Sequence, residues 1–210
     1  MHNIVNNITT ITKELSAINS NTKIIAVSKT FNMDFIKPLV DHGHVDFGEN
    51  KVQEAVNKWT EIKEKNSTIK LHLIGKLQTN KVKFCLPLFD YIHSLDNLKL
   101  ADKVANEQVK KNFKPKIFIQ VNVGDEAQKS GVILKEFESF YKKITEDFEL
   151  NIIGLMCIPP FVDDTKKYFE KMIDLKSKTN LKELSMGMSN DYIEAAKYSA
   201  TYVRVGSKIF

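Results

Sequence analysis

The feature that most constrains this chain is an alternation: short runs of continuous apolar sequence, each stopped by polar or turn residues, hand over to longer stretches with helical periodicity. Residues 23–29 set the pattern. They read Lys-Ile-Ile-Ala-Val-Ser-Lys, four consecutive apolar residues, three of them β-branched, ending on Lys29. A strand of that kind is buried on both faces, as in a parallel sheet covered by helices. Comparable runs recur at residues 44–47, 70–74, 91–94, 116–123, 151–158, 181–186 and 202–205. Between them lie helical patterns at 33–41, in the stretch opened by Gly48-Glu49-Asn50, up to about residue 89, from an Asp96 cap to 111, at 134–148, at 163–177, and from a Ser189 N-cap to 199. Eight strands separated by helices predict an α/β fold, a (β/α)8 TIM barrel, with a doubly wound open sheet as the alternative. The barrel accounts for one further feature. No helix follows the eighth strand, while residues 3–20 carry Ile4, Ile8, Ile11, Leu15 and Ile18 at spacings of four, three, four and three, an extra N-terminal helix able to cover that gap.

Composition narrows the class. At 210 residues, 42% hydrophobic and 27% charged, with no linker, low-complexity tract or internal repeat, one domain over residues 1–210 is expected. The N-terminal residues carry no basic segment followed by an apolar run, and no stretch approaches membrane-spanning length, which predicts a cytoplasmic protein with no membrane partner. The net charge of +5 comes from lysines interleaved with acids, as at 61–65 and 166–171, a solvated face rather than a nucleic-acid reader. One arginine, Arg204, stands among these lysines, which suggests a position where only a rigid, permanently charged fork serves. Cys85 and Cys157 show no close spacing and read as reduced, buried thiols. His2, His42 and His44 show no ligand spacing with acids, so no metal is expected. His72, on an alternating strand, reads as a hydrogen-bonded core histidine; His93, at a strand end, is the better site candidate and still more often structural.

The chemistry concentrates where strands hand over to helices. Lys29 and Asn50 both lie at such junctions, and in α/β folds ligands bind there. Closing a barrel brings the eighth strand beside the first, so Lys29, Ser189, Arg204, Gly206 and Ser207 would share one rim. Loops after strands seven and eight of such barrels commonly hold phosphate. A phosphate anchor within reach of a strand-end lysine is what a pyridoxal 5'-phosphate (PLP) site needs, with a further residue meeting the pyridine nitrogen. Arg204 is the candidate for that role. Gly75-Lys76 is not a nucleotide loop, because the upstream glycine position is Lys70 and Leu77 follows the lysine.

The motifs Ala26-Val27-Ser28-Lys29, Phe47-Gly48-Glu49-Asn50-Lys51-Val52-Gln53-Glu54, His72-Leu73-Ile74-Gly75-Lys76-Leu77-Gln78-Thr79-Asn80-Lys81, Gly154-Leu155-Met156, Leu184-Ser185-Met186-Gly187-Met188-Ser189 and Val203-Arg204-Val205-Gly206 run along nearly the whole chain. Together they resemble the YggS/PROSC group of pyridoxal phosphate homeostasis proteins. The resemblance implies a barrel like the N-terminal domain of alanine racemase, with PLP held as a Schiff base on Lys29. It also implies Asn50 near the cofactor ring, Ser185, Ser189, Gly206 and Ser207 around the phosphate, and Arg204 at the pyridine nitrogen. Members of the group are known as carriers or regulators in vitamin B6 balance, without established turnover. PLP is thus the expected ligand, PLP-dependent apoenzymes are candidate partners, and a monomer is expected. Two competing readings remain beside it. A racemase-like PLP enzyme would need a second proton donor, which the racemase sharing this barrel brings from another domain, so such activity is expected to be absent or feeble. A lysine-rich protein binding nucleic acid would depend steeply on salt and not on Lys29.

Overall fold

The computed structural model describes residues 3–161 and 164–210. His2 and the expected helix start at Asp163 therefore lie outside the described residues.

The apolar runs form parallel strands: β1 (Lys23–Val27), β2 (Asp46–Glu49), β3 (Lys70–Leu73), β4 (Tyr91–Leu95), β5 (Lys116–Asn122), a short β6 (Val132–Ile133), β7 (Ile152–Cys157), β8 (Glu183–Met188) and β9 (Tyr202–Val205). Their order is β4-β3-β2-β1-β9-β8-β7-β5-β6, and β4 also pairs with β5. Eight of them thus close into a barrel, and the open-sheet alternative is excluded. The seam is the β1–β9 pair, with Lys23, Ile24, Ile25 and Ala26 opposite Tyr202, Val203, Arg204 and Val205. The two-residue β6 was not foreseen from the sequence; it hangs on β5 through Val121 and Val132, within the loop that Gly124 and Gly131 marked as irregular.

Helices α1 (Asn3–Ser16), α2 (Met33–Asp41), α3 (Val52–Lys65), α4 (Val82–Cys85), α5 (Leu98–Lys111), α6 (Phe137–Asp147), α7 (Lys166–Ser177) and α8 (Tyr192–Lys197) surround the barrel. As the amphipathic stripe predicted, α1 buries Ile8, Ile11 and Leu15. Asn7 Nδ2 donates to the Ile209 carbonyl and Tyr192 bonds Glu14, so α1 covers the barrel beyond β9. Ile18, the last position of the predicted stripe, lies past the helix end and is exposed.

Several boundaries differ from the sequence reading for local reasons. The helix expected up to residue 89 stops at Cys85: Leu86 still has helical geometry, but Pro87 has no N–H to continue the hydrogen-bond ladder. The cap of α5 is Asn97 rather than Asp96: its side chain accepts from Leu100 N, while Asp96 accepts from the Asn97 amide. β2 runs through Gly48 and Glu49, which the sequence had suggested as a helix start. Ser189 does not cap α8. The helix begins at Tyr192, and the Ser189 hydroxyl accepts instead from Gly206 N at 3.3 Å.

Two cores result. The larger lies between sheet and helices, with Phe47, Trp59, Phe89, Phe137 and Phe169 fully or almost fully buried. The smaller fills the barrel itself with Ile25, Tyr91, Phe118, Met156 and Tyr202. Both cysteines are buried thiols, and burial pushes the Cys157 pKa up to about 12 and raises that of Cys85. Gly187, with φ +89°, takes the left-handed conformation where β8 shifts register against β9, and a Cβ there would lie 2.5 Å from Ala195 Cβ. Gly187→Ala is therefore expected to destabilise the protein by about 1–3 kcal/mol, read as a lower urea midpoint in chemical denaturation; an unchanged midpoint would show that the β8–α8 contact yields freely.

Candidate functional site

The C-terminal ends of the strands gather the residues singled out from the sequence. Lys29 is exposed two residues past the end of β1. Val27 pairs with Gly48, so continuing that register sets Lys29 level with Asn50 on the neighbouring strand end. Asn50 is half-buried and closely backed: a Cβ on Gly75 would lie 2.2 Å from the Asn50 carbonyl oxygen, so only glycine lets the β3 loop pass behind it. On the other side of Lys29 come Gly206 and Ser207 after β9, with Ser189 reaching across from β8 to the Gly206 amide. The Gly206 carbonyl accepts from Ile209 N at 2.8 Å and Phe210 N at 3.0 Å, which folds the segment after β9 into a tight turn.

The turn that carries Lys29 is held from outside by α3. Thr30, a β-branched residue, has φ +69°, a strained backbone state that neighbouring contacts must enforce. Thr30 N donates to Glu54 Oε1 at 3.0 Å, and Phe31 N donates to the Ser28 carbonyl at 3.2 Å. Lys58 Nζ donates to the same Ser28 carbonyl and to Glu49 Oε1, both at 3.0 Å. Glu49 is fully buried, and its Oε1 also accepts from Ser28 Oγ at 2.7 Å and from Trp59 Nε1 at 2.9 Å. Sequence reasoning missed Lys58 and Glu54. Both sit on an ordinary charged helix face, and nothing in their spacing marks them as braces.

Arg204 points into the barrel and is 4% exposed. Its Nη1 donates to Ser185 Oγ and its Nη2 to the Cys157 carbonyl, each at 2.7 Å. Those bonds occupy two of the five N–H groups of a guanidinium and fix the plane of the others. Ser185, which the resemblance implied beside a phosphate, has its hydroxyl fully buried between Arg204 and His93 Nδ1, the latter at 3.0 Å. His93 Nε2 lies 3.0 Å from His72 Nδ1, and His72 Nε2 lies 2.9 Å from Asp46 Oδ1. Both histidines are thus hydrogen-bonded residues of the interior. Burial lowers the pKa of each, well below the ordinary value for His93, where the nearby His72 and Arg204 charges add to the effect. Asp46 is pushed upward by burial, but the hydrogen bond it accepts from His72 is the main opposing effect, and its pKa is left lowered. Lys76, Gln78 and Asn80 lie on an exposed face, while Leu77 between them is buried.

The model of the family "Alanine racemase, N-terminal domain" matches residues 1–210. The chain belongs to this family. Within it, the chain is similar to the "Pyridoxal phosphate homeostasis protein" of Aquifex aeolicus, 36% identical over 197 residues covering 90% of this chain and 86% of the relative. It is likewise 35% identical to the protein of the same name from Escherichia coli, covering 89% of this chain and 84% of the relative. It therefore belongs among the family's pyridoxal phosphate homeostasis proteins, as its motifs suggested. Among solved structures, PipY of Synechococcus elongatus with PLP bound superposes with a TM-score of 0.87 at 30% identity over 99% of both chains; its form without PLP gives 0.90. Alanine racemase of Clostridium difficile shares the fold, with a TM-score of 0.79 at 13% identity over 100% of this chain and 56% of the racemase.

Two expectations follow from these contacts. Lys58→Met leaves Glu49 buried with its cationic partner gone, which should cost about 3 kcal/mol in denaturation experiments, whereas Lys58→Arg should recover much of it. The second concerns acid. His72 and His93 have folded pKa values below the 6.5 of an unfolded histidine, so the unfolded chain binds protons first as the pH drops. Stability should be level above pH 6.5 and fall as the pH descends below it, visible as a declining melting temperature; a melting temperature flat through that range would contradict neutral buried imidazoles.

Proposed function

We propose that this chain binds PLP at the rim formed by Lys29, Asn50, Ser189, Arg204, Gly206 and Ser207 and serves in intracellular vitamin B6 homeostasis. The observation that carries the reading is the β1–β9 seam: it brings an exposed strand-end lysine beside a serine-and-glycine turn, with the chain's one arginine directly beneath. The residues suit the group. Lys29 offers a primary amine at the barrel mouth, which would hold the PLP aldehyde as a Schiff base, with water as the leaving group. Ser189, Gly206 and Ser207 supply hydroxyl and backbone donors for a phosphate. Asn50 is held at the height of Lys29, where it would border the ring. Ser185 serves by holding Arg204.

Bound PLP supplies a reactive aldehyde and an electron-accepting ring. Arg204 governs how strongly that ring accepts electrons. A guanidinium donates and does not give up its proton, so a pyridine nitrogen held by Arg204 would stay unprotonated and the ring would be a weaker electron sink than one facing a carboxylate. That chemistry suits storage and delivery better than turnover. The relatives that match over most of this chain are named for homeostasis, while alanine racemase shares only the fold. On this reading the protein is one PLP-binding domain over residues 1–210, monomeric and cytoplasmic, exchanging PLP with the cell's pool and with apoenzymes. No helix among the described residues is long and apolar enough to cross a membrane.

The test is the absorption spectrum with added PLP, before and after borohydride reduction, with peptide mapping of the reduced adduct. A discrete band mapping to Lys29 and absent in Lys29→Ala is expected. Adducts scattered over surface lysines would refute the site, and rapid racemisation of amino acids lost in Lys29→Ala would replace a carrier by an enzyme.

A further inference from the structure

The interior of the barrel holds a polar diagonal that the cofactor reading does not use. It starts at Asp46, the first residue of β2, and passes through His72 on β3, His93 on β4 and Ser185 on β8 to Arg204 on β9, with successive contacts of 2.9, 3.0, 3.0 and 2.7 Å. The five groups come from five strands, and all are buried. The imidazoles have little freedom to turn: His72 stacks on Tyr91 with centroids 4.1 Å apart and planes 8° off parallel, and His93 stacks on Phe118 at 4.3 Å and 19°.

The two ends determine the direction of every hydrogen bond between them. A carboxylate only accepts, so His72 carries its proton on Nε2; a neutral imidazole then leaves Nδ1 as an acceptor. His93 must therefore donate from Nε2 to His72, which leaves its own Nδ1 as an acceptor for the Ser185 hydroxyl. With its proton so committed, Ser185 Oγ presents lone pairs to Arg204 Nη1, which only donates. Burial keeps both rings neutral, as this sequence of donors requires. A chain polarised in one sense throughout is strengthened link by link in a low-dielectric interior.

We infer that Asp46, His72, His93 and Ser185 act as positioning residues for Arg204: a carboxylate at the start of β2 fixes the orientation of a buried hydroxyl on β8 and, through it, the guanidinium. The role toward PLP rests on the site proposed above, but the chain itself does not, and it is testable without cofactor.

Nitrogen-15 NMR of the cofactor-free protein provides that test. Long-range proton–nitrogen correlations should show His72 and His93 as neutral rings protonated on Nε2 at neutral pH. Because Arg204 is the single arginine, its Nε–H signal is identified by residue type alone. That signal should shift in Asp46→Ala and in Ser185→Ala, and return toward its native position in Asp46→Asn, whose carbonyl oxygen still accepts from His72. Ser185→Ala cuts the last link with Asp46 and both histidines in place, and so decides the matter if Asp46→Ala does not fold. In the PLP-loaded protein the same variants should weaken binding about tenfold, the effect of losing one hydrogen bond to a charged group, and displace the absorption band. A proton on Nδ1 of either ring, an imidazolium at neutral pH, or an Arg204 signal unmoved in the folded variants would overturn the inference. Failure of the cofactor proposal reads differently: the native protein would take up no PLP at Lys29, while the tautomers and the Arg204 response would still uphold the chain.

Discussion

The parallel pairing of β1 with β9 is the contact on which the rest of the structure depends. Four residues of each strand meet there, from Lys23 opposite Tyr202 to Ala26 opposite Val205. Their ladder turns an open sheet into a barrel and removes both edges, which would otherwise expose unpaired backbone groups. It also makes neighbours of residues almost the whole chain apart. Lys29 and Gly206 stand on one rim only because this seam closes, and α1 lies over the same seam, tied to the segment after β9 through Asn7 and Ile209.

Closure creates an interior that is partly polar, at a cost the fold must offset. Two imidazoles, a carboxylate, a hydroxyl and a guanidinium stand among Ile25, Tyr91, Phe118, Met156 and Tyr202. Each would be expensive to bury alone. Together they form a chain in which each link has a donor and an acceptor, so burial strengthens the links. Outside the barrel, Glu49, Lys58 and Glu54 play the matching part for Lys29, holding Thr30 in a backbone conformation a β-branched residue rarely adopts. The turn that carries Lys29 and the Arg204 guanidinium are thus held from opposite sides of the sheet, one by the helix layer and one by the barrel interior.

Much of this was legible in the chain. The barrel strands, the leading helix and the positions of Lys29, Asn50 and Gly206 at strand ends follow from apolar runs and their stops, because burial on both faces leaves a continuous apolar signature. Where the reading slipped, short-range chemistry was the cause. Pro87 shortened α4, Asn97 rather than Asp96 capped α5, and Ser189 bonded across to Gly206 instead of capping a helix. The Ser185 hydroxyl faces the barrel interior, since alternate residues of a strand face opposite sides and Leu184 and Met186 take the outer face.

The sequence by itself determined the order of strands and helices, the apolar faces that cover them and the strand-end placement of Lys29, because periodicity and turn residues are local properties. Only the tertiary structure decided that Asp46, His72, His93, Ser185 and Arg204 form one chain and that Lys58 braces Lys29. Those partners lie far apart in sequence and meet because the barrel closes, and no local pattern carries the identity of a neighbour supplied by another strand.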